Sequence, residues 1–255
     1  MIMRSVELVG ILNVTPDSFS DGGAYENSDT AITHADKLFC DGAALVDVGA
    51  ESTRPHATPL TADEEWRRLA TVLPQLLHWY PNKISLDTYH PATVRRAVRF
   101  GRFIINDVTM FHDPEMITLA VEYGLSCILS HLPQYTDSNI QTAHAGQLID
   151  DVAQVRDELL SKRDMLVERG VPKERVILDP GIGFGKTPQA NWELLRFAAL
   201  VPDSEVMIGY SRKRFLGENR MELEPNIEAG RIAIQAGARY LRVHDVVGHQ
   251  VLLDN

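Results

Sequence analysis

The chain has 255 residues, 44% of them hydrophobic and 24% charged, with a formal net charge of −10. That balance supports one well-filled core and argues against a nucleic-acid or anionic-membrane surface, while leaving room for a local basic pocket for an anionic small molecule. Cys40 and Cys127 are the two cysteines, without CxxC spacing or any sign of a disulfide framework. No apolar stretch approaches the roughly 20 residues of a spanning helix, and no cleavable leader precedes the first apolar run, so a soluble cytoplasmic protein is expected.

In chain order, the first buried run covers residues 6–12 and ends at Asn13. Helical periodicity over 29–40 follows, then an apolar run over 43–46 closed by Asp47 and a helix over 61–79 whose Thr61 and Glu64 have capping-box spacing. The run 83–86 is closed by Asp87, and 102–105 by Asn106; between and after them lie helices over 91–100 and 114–123, with Pro91 and Pro114 suited to first-turn positions. The run 125–129 leads to Ser130 and His131, and a long helix is expected over 148–169. Then come 175–178 with Asp179, a helix over 189–200, 205–209 with Ser211 to Lys213, a helix over 226–236, and 239–241 with Arg242 to His244. Glycines 101, 124, 170 and 237 sit where helices should stop. Eight such runs alternating with helices predict an α/β fold, a parallel (β/α)8 TIM barrel forming a single domain over 1–255, near the usual size of roughly 250 residues. Its reactive groups belong at the carboxyl-end face of the strands. Long polar stretches over 14–27 and 49–60 leave that face and suit functional lids, and 133–146 is a third irregular stretch.

Three polar strand ends, Asp87, Asn106 and Asp179, could converge on one pocket. Carboxylates accept two N–H bonds from an aminopyrimidine edge while Asn both donates and accepts, which suits a heterocycle with adjacent ring N–H, amino and carbonyl groups. A carboxylate pair working as in glycosidases is the rival reading. Asp179 opens Asp-Pro-Gly-Ile-Gly-Phe-Gly-Lys-Thr; the ending suggests a phosphate loop, but Pro180 stands where that motif needs glycine. Its glycines instead let backbone approach a flat ligand, with the Phe184 ring available for stacking.

Opposite charge comes from Ser211-Arg212-Lys213-Arg214, from Arg242-Val243-His244 and from Thr53-Arg54, groups able to hold a phosphate or diphosphate. His244 can serve as phosphate ligand, proton carrier or metal ligand. Without an HExxH, Cys/His cluster or carboxylate cage, zinc and calcium are not expected; Mg²⁺ held by a ligand diphosphate and one oxygen of Asn13 is.

Gly10-Ile-Leu-Asn-Val-Thr-Pro-Asp-Ser-Phe-Ser-Asp-Gly-Gly23 resembles the opening signature of the dihydropteroate synthase family, and Asp47-Val-Gly-Ala-Glu-Ser-Thr-Arg-Pro55 resembles its second. Matches continue through Ser85-Leu-Asp-Thr88, Ile105-Asn-Asp107, Leu178-Asp-Pro-Gly181, Phe184-Gly-Lys186, Ser211-Arg-Lys213 and Arg242-Val-His-Asp245, covering essentially the whole chain. The resemblance implies that 4-aminobenzoate displaces diphosphate from (7,8-dihydropterin-6-yl)methyl diphosphate to give 7,8-dihydropteroate. It implies that Asp87, Asn106, Asp179, Gly209 and Lys213 hold the pterin, that Thr53, Arg54, Arg242 and His244 meet the diphosphate, and that Asn13 meets Mg²⁺. Phe19, Pro55 and Lys213 are the candidates for the arylamine site, and Asp87, Lys213, Arg242 and His244 for catalysis.

Two departures from the family stand out. After the fifth strand the chain reads Leu129-Ser-His-Leu-Pro-Gln134 where the family commonly has a Met-His-Met-like lining, which predicts a more polar pocket. The start of the last long helix is acidic, and ten residues follow Asp245, in a family that usually forms homodimers through its last helices. Two other readings are a divergent pterin-binding paralogue without synthase activity and a corrinoid-linked methyltetrahydrofolate methyltransferase.

Overall fold

The computed structural model describes residues 5–15, 24–51, 58–133 and 148–253. Eight parallel strands close in chain order into a barrel. They are β1 (Glu7–Asn13), β2 (Leu45–Gly49), β3 (Ile84–Asp87), β4 (Ile104–Asp107), β5 (Ser126–Ser130), β6 (Val176–Asp179), β7 (Glu205–Ile208) and β8 (Tyr240–Val243). β1 pairs with both β2 and β8, which removes every sheet edge. The helices are α1 (Ala24–Cys40), α2 (Ala62–Leu69), α3 (Leu73–Trp79), α4 (Pro91–Ala97), α5 (Pro114–Glu122), α6 (Val152–Glu168), α7 (Pro188–Leu194), α8 (Phe197–Leu200), α9 (Leu223–Gln235) and α10 (Val246–His249). The (β/α)8 expectation holds.

Strand periodicity builds two cores. Side chains of Leu8, Leu12, Val46, Val48, Leu86, Ile105, Leu129, Leu178, Ile208 and Leu241 belong to one cluster that includes helix residues such as Leu38, Leu73, Val94, Met116 and Leu159. The alternate residues Val9, Leu45, Ile128, Ile177 and Met207 form a separate cluster, flanked by Ile104 and Tyr240, that plugs the barrel interior. Two residues further along, on the same inward face, β2, β3, β4, β5, β6 and β8 carry Asp47, Asp87, Asn106, Ser130, Asp179 and Arg242. The polar layer thus rests on an apolar floor.

Several boundaries differ from the sequence expectation. The helix expected over 61–79 breaks after Leu69, because Pro74, near the start of α3, has no N–H and its ring clashes with a carbonyl one turn earlier. The capping box at its start is present, with Thr61 N–H donating to Glu64 at 2.9 Å and Glu64 N–H to the Thr61 hydroxyl at 3.3 Å. The helix expected from 148 starts at Val152, capped by Asp151. Ile149 instead pairs strand-like with Lys186, fastening this segment to the connection after β6. The 189–200 helix divides into α7 and α8 without a proline or glycine at the break. α10 was not expected; Asp245 caps it by accepting the Gly248 N–H at 2.9 Å. Gly124 and Gly170 end α5 and α6 as anticipated, at φ 59° and 107°. Both cysteines are free thiols.

The acidic entry to α9 is held by a polar staple. Glu222 provides no side-chain cap. The buried Asn226 carboxamide accepts the Arg212 N–H at 2.9 Å and donates to the carbonyls of Arg220 and Glu222 at 2.9 and 2.6 Å. Arg212 lies at φ 61°, a left-handed conformation that disfavours side chains with a Cβ, so the staple holds the turn between Ser211 and Lys213 against its own preference. Asn226→Ala is expected to lower unfolding free energy by about 1–3 kcal/mol through unpaired backbone groups. Urea unfolding measures it, and an unchanged midpoint would remove the staple from the stability of this turn.

Candidate active site

The polar layer is organised around Arg242. Its Nε donates to Asp47 Oδ2 at 2.6 Å and its Nη2 to Asp87 Oδ2 at 3.4 Å. Asn106 Nδ2 donates to both oxygens of Asp47 at 3.2 Å, and its Oδ1 accepts the Ser130 hydroxyl at 3.3 Å. Asp47 is fully buried. It lies mid-strand in β2, not at the strand end where the sequence placed it, which is why it reaches the guanidinium from below. Burial and the nearby Asp47 push the Asp87 carboxyl up, opposed by Arg242. For Arg242 the desolvation of burial is outweighed by the surrounding carboxylates, which hold it charged.

The second wall is the connection after β6. Asp179 Oδ1 accepts the Gly181 N–H at 2.7 Å, and burial raises this carboxyl against the pull of Lys213 and the Gly181 bond. Lys213 donates to the Ile182 carbonyl and its ammonium lies 4.9 Å from the centroid of the Phe184 ring, so Lys213, Phe184 and Asp179 share one side of the mouth. Gly209 is the floor beside them: a Cβ there would stand 3.5 Å from Asp179 Oδ2 and 3.8 Å from Arg242. Lys186 is turned away from the mouth, donating to the carbonyls of Gly181 and Phe184 at 2.9 Å and of His131 at 3.4 Å. It therefore cannot cradle a phosphate as a P-loop lysine does, and serves to hold the glycine loop. Gly181, at φ 63°, admits no side chain, since a Cβ would stand 2.0 Å from the His131 carbonyl oxygen.

His244, after β8, pairs through Nδ1 with the Ser211 hydroxyl at 3.0 Å, which joins the β7 and β8 exits. Asn13 ends β1, partly exposed, beside Gly49 of β2. The sequence expectation that the altered segment after β5 lines a more polar pocket needs correction at His131. Ser130 does enter the layer, but His131 is buried on the other side of the strand, where Nε2 contacts Glu158 of α6 at 2.8 Å. Successive residues of a strand face opposite ways. Leu132 returns to apolar packing with Val108, Tyr89 and Phe184. Phe19, Thr53, Arg54, Pro55 and Gln134 lie outside the described residues.

Asp87, Asn106, Asp179, Gly209, Phe184, Lys213 and Arg242 therefore meet in one mouth. Asp47, bonded to Arg242 and Asn106, and Lys186, which holds the glycine loop, are the positions around this mouth that sequence reasoning left without a role. Asp47 was visible as a polar residue in a strand, and Lys186 as the lysine of the rejected phosphate motif.

Carboxylates and cations at a single barrel mouth define a barrel enzyme for a flat, nitrogen-rich ligand with an anionic part. Residues 9–244 match the pterin binding enzyme family. A dihydropteroate synthase of Bacillus subtilis is 38% identical over 250 residues, spanning 94% of this chain and 83% of that protein. The solved dihydropteroate synthase of Thermus thermophilus in complex with 4-aminobenzoate superposes with a TM-score of 0.85 at 34% identity, covering 100% of this chain and 94% of its own. That of Xanthomonas albilineans in complex with 7,8-dihydropteroate gives 0.83 at 32% identity, covering 100% and 93%. This chain belongs to the dihydropteroate synthase family.

Arg242→Met would leave Asp47 and Asp87 facing each other without a counter-charge. Loss of one member of a buried ionic group costs about 3–5 kcal/mol. In that variant the Asp87 carboxyl, already raised by burial and by Asp47, loses the guanidinium that opposes the rise, so its folded pKa stands above its unfolded one and stability is retained at low pH and lost as pH rises. The expected result is a larger deficit in urea unfolding at about pH 8 than at about pH 5; an equal deficit at both would show that Arg242 does not neutralise the pair.

Proposed function

We infer that this chain is a folate-pathway transferase that joins (7,8-dihydropterin-6-yl)methyl diphosphate to 4-aminobenzoate, forming 7,8-dihydropteroate and diphosphate. The observation that carries the reading is Arg242, which touches Asp47 and Asp87 while lying beside Gly209 and Asp179. A ring bound to the carboxylates is thereby within reach of the cationic groups.

In this reading Asp87, Asn106 and Asp179 accept from and donate to the N–H-rich edge of the pterin, and Phe184 and Lys213 cover its face. A ligand edge that donates N–H groups favours the ionised form of Asp87, which burial otherwise disfavours. As the C–O bond to the diphosphate breaks, positive charge develops on the pterin methylene, and the carboxylates stabilise it electrostatically. Arg242 and His244, with Thr53 and Arg54, receive the leaving anion; on Arg242 the Nη1 edge is not used by Asp47 or Asp87. The arylamine nitrogen forms the new C–N bond and releases a proton; it needs placement more than activation, which we assign to Phe19, Pro55 and Lys213.

Asn13, at the end of β1, offers one neutral side-chain oxygen. Such a donor suits Mg²⁺, which keeps waters and takes its remaining ligands from substrate phosphates. When bound, the ion would neutralise charge on the departing diphosphate.

Among the described residues no helix is long and apolar enough to cross a membrane. We also propose a homodimer formed through the C-terminal face, where Met221, Leu223, Val247 and Val251 are exposed. Light scattering should give twice the chain mass, and Val247→Lys with Val251→Lys should give the monomer; a monomeric parent would exclude it.

Purified protein supplied with Mg²⁺, the pterin diphosphate and 4-aminobenzoate should release dihydropteroate, and pterin binding without product would reduce the reading to a pterin-binding protein. Burial pushes the Lys213 ammonium down to about 8. It is charged below that value, so kcat/KM is expected to fall as pH rises through it, and Lys213→Arg to move that limb upward. A flat wild-type profile, or the same limb in the variant, would remove the Lys213 charge from the reaction.

A further inference from the structure

Outside the polar layer, a second set of ionisable side chains meets where β2, α2 and the β3–α4 connection converge. Glu51 follows β2, Glu65 lies on α2, and His90 directly precedes α4; one ligand atom from each lies within 4.8 Å of the other two. Glu65 is fully buried, and its Oε1 has no hydrogen-bond partner; neither has His90 Nε2.

The surroundings aim these atoms inward. The Thr88 hydroxyl donates to Glu65 Oε2 at 2.8 Å and the Tyr89 hydroxyl to Glu51 Oε1 at 2.8 Å, so each carboxylate has one oxygen anchored and the other turned toward the cluster. Thr88 also accepts the His90 backbone N–H at 3.1 Å. His90 hydrogen-bonds the Leu60 carbonyl; burial opposes its protonation, but the Glu51 and Glu65 carboxylates that face it raise the imidazole's pKa, so a cation bound there would displace a proton. A ring nitrogen whose partner nitrogen is fixed on a backbone carbonyl, beside carboxylates fixed by hydroxyls, is the outer-shell arrangement of metal ligands.

Two carboxylates converging on one imidazole call for positive charge between them, supplied by the imidazole's own proton or by a bound cation. The His90 Nε2 to Glu51 Oε2 separation is 3.6 Å, longer than a hydrogen bond. Two donors on one tetrahedral zinc-class ion, each about 2.0–2.1 Å from it, stand about 3.3–3.4 Å apart. Burial also lifts the Glu65 carboxyl above its usual range, so its charge lacks full compensation.

We propose that Glu51, Glu65 and His90 form a structural site for a divalent cation of the zinc class, with water in the fourth position. It is separate from the Mg²⁺ assigned to Asn13 and the diphosphate, and it needs no substrate. The ion ties the end of β2 to α2 and the start of α4. Glu51 directly precedes Ser52-Thr53-Arg54-Pro55, so the site fixes the root of the segment assigned to the diphosphate and the arylamine.

The test uses chelator-treated whole protein without substrate, titrated with Co²⁺ and then Zn²⁺. A single equivalent of Co²⁺ should bind with visible absorption, be displaced by Zn²⁺, and raise the melting temperature. His90→Gln should abolish this, and Tyr89→Phe, which removes only the hydroxyl orienting Glu51, should weaken binding by about 10–100-fold. Absence of stoichiometric Co²⁺ binding by the parent protein, or binding unchanged in both variants, would overturn the site.

Discussion

The arrangement depends on one buried guanidinium between two carboxylates. Asp47 and Asp87 stand close enough that Asp47 raises the other's pKa, and Arg242 opposes that while remaining charged itself. Its removal would push the Asp87 carboxyl further toward the neutral form, which could accept fewer N–H bonds from a ligand. The same guanidinium lies beside Gly209 and Asp179, so it joins the walls of the mouth as well as balancing their charge.

The layer exists because a strand alternates its faces. Five of the six inward polar residues stand two positions beyond an inward apolar one: Asp47 beyond Leu45, Asn106 beyond Ile104, Ser130 beyond Ile128, Asp179 beyond Ile177, Arg242 beyond Tyr240; Asp87 stands beyond the buried Ser85. The apolar floor excludes water from beneath the charges and lowers the local dielectric, which strengthens their interaction and makes each unpaired group costly. Fold and chemistry therefore share one periodicity. The turn carrying Ser211 and Lys213 escapes it, and there a left-handed Arg212 and the Asn226 staple do what a strand does elsewhere.

This shared periodicity explains why so much could be read from residue order. Asp87, Asn106, Asp179 and Arg242 were recognisable because short apolar runs ended in groups whose chemistry had no place in a core. What escaped was decided by neighbours remote in the chain. His131 follows Ser130 directly, yet Glu158 draws it outward, a contact across 27 positions. Lys186 had no role once the phosphate-loop motif was rejected, and it holds carbonyls because the loop folds back over its ammonium. The helix over 61–79 failed at Pro74, a local signal that the apolar periodicity concealed.

A crystal structure with the pterin diphosphate or a non-hydrolysable analogue tests the shared mouth most directly. The ring edge should lie against Asp87, Asn106 and Asp179, its face against Phe184 and Lys213, and the phosphates should extend toward Arg242 and His244 from the same cavity. A ring bound away from the carboxylates, or phosphates held on a different face of the barrel, would contradict it.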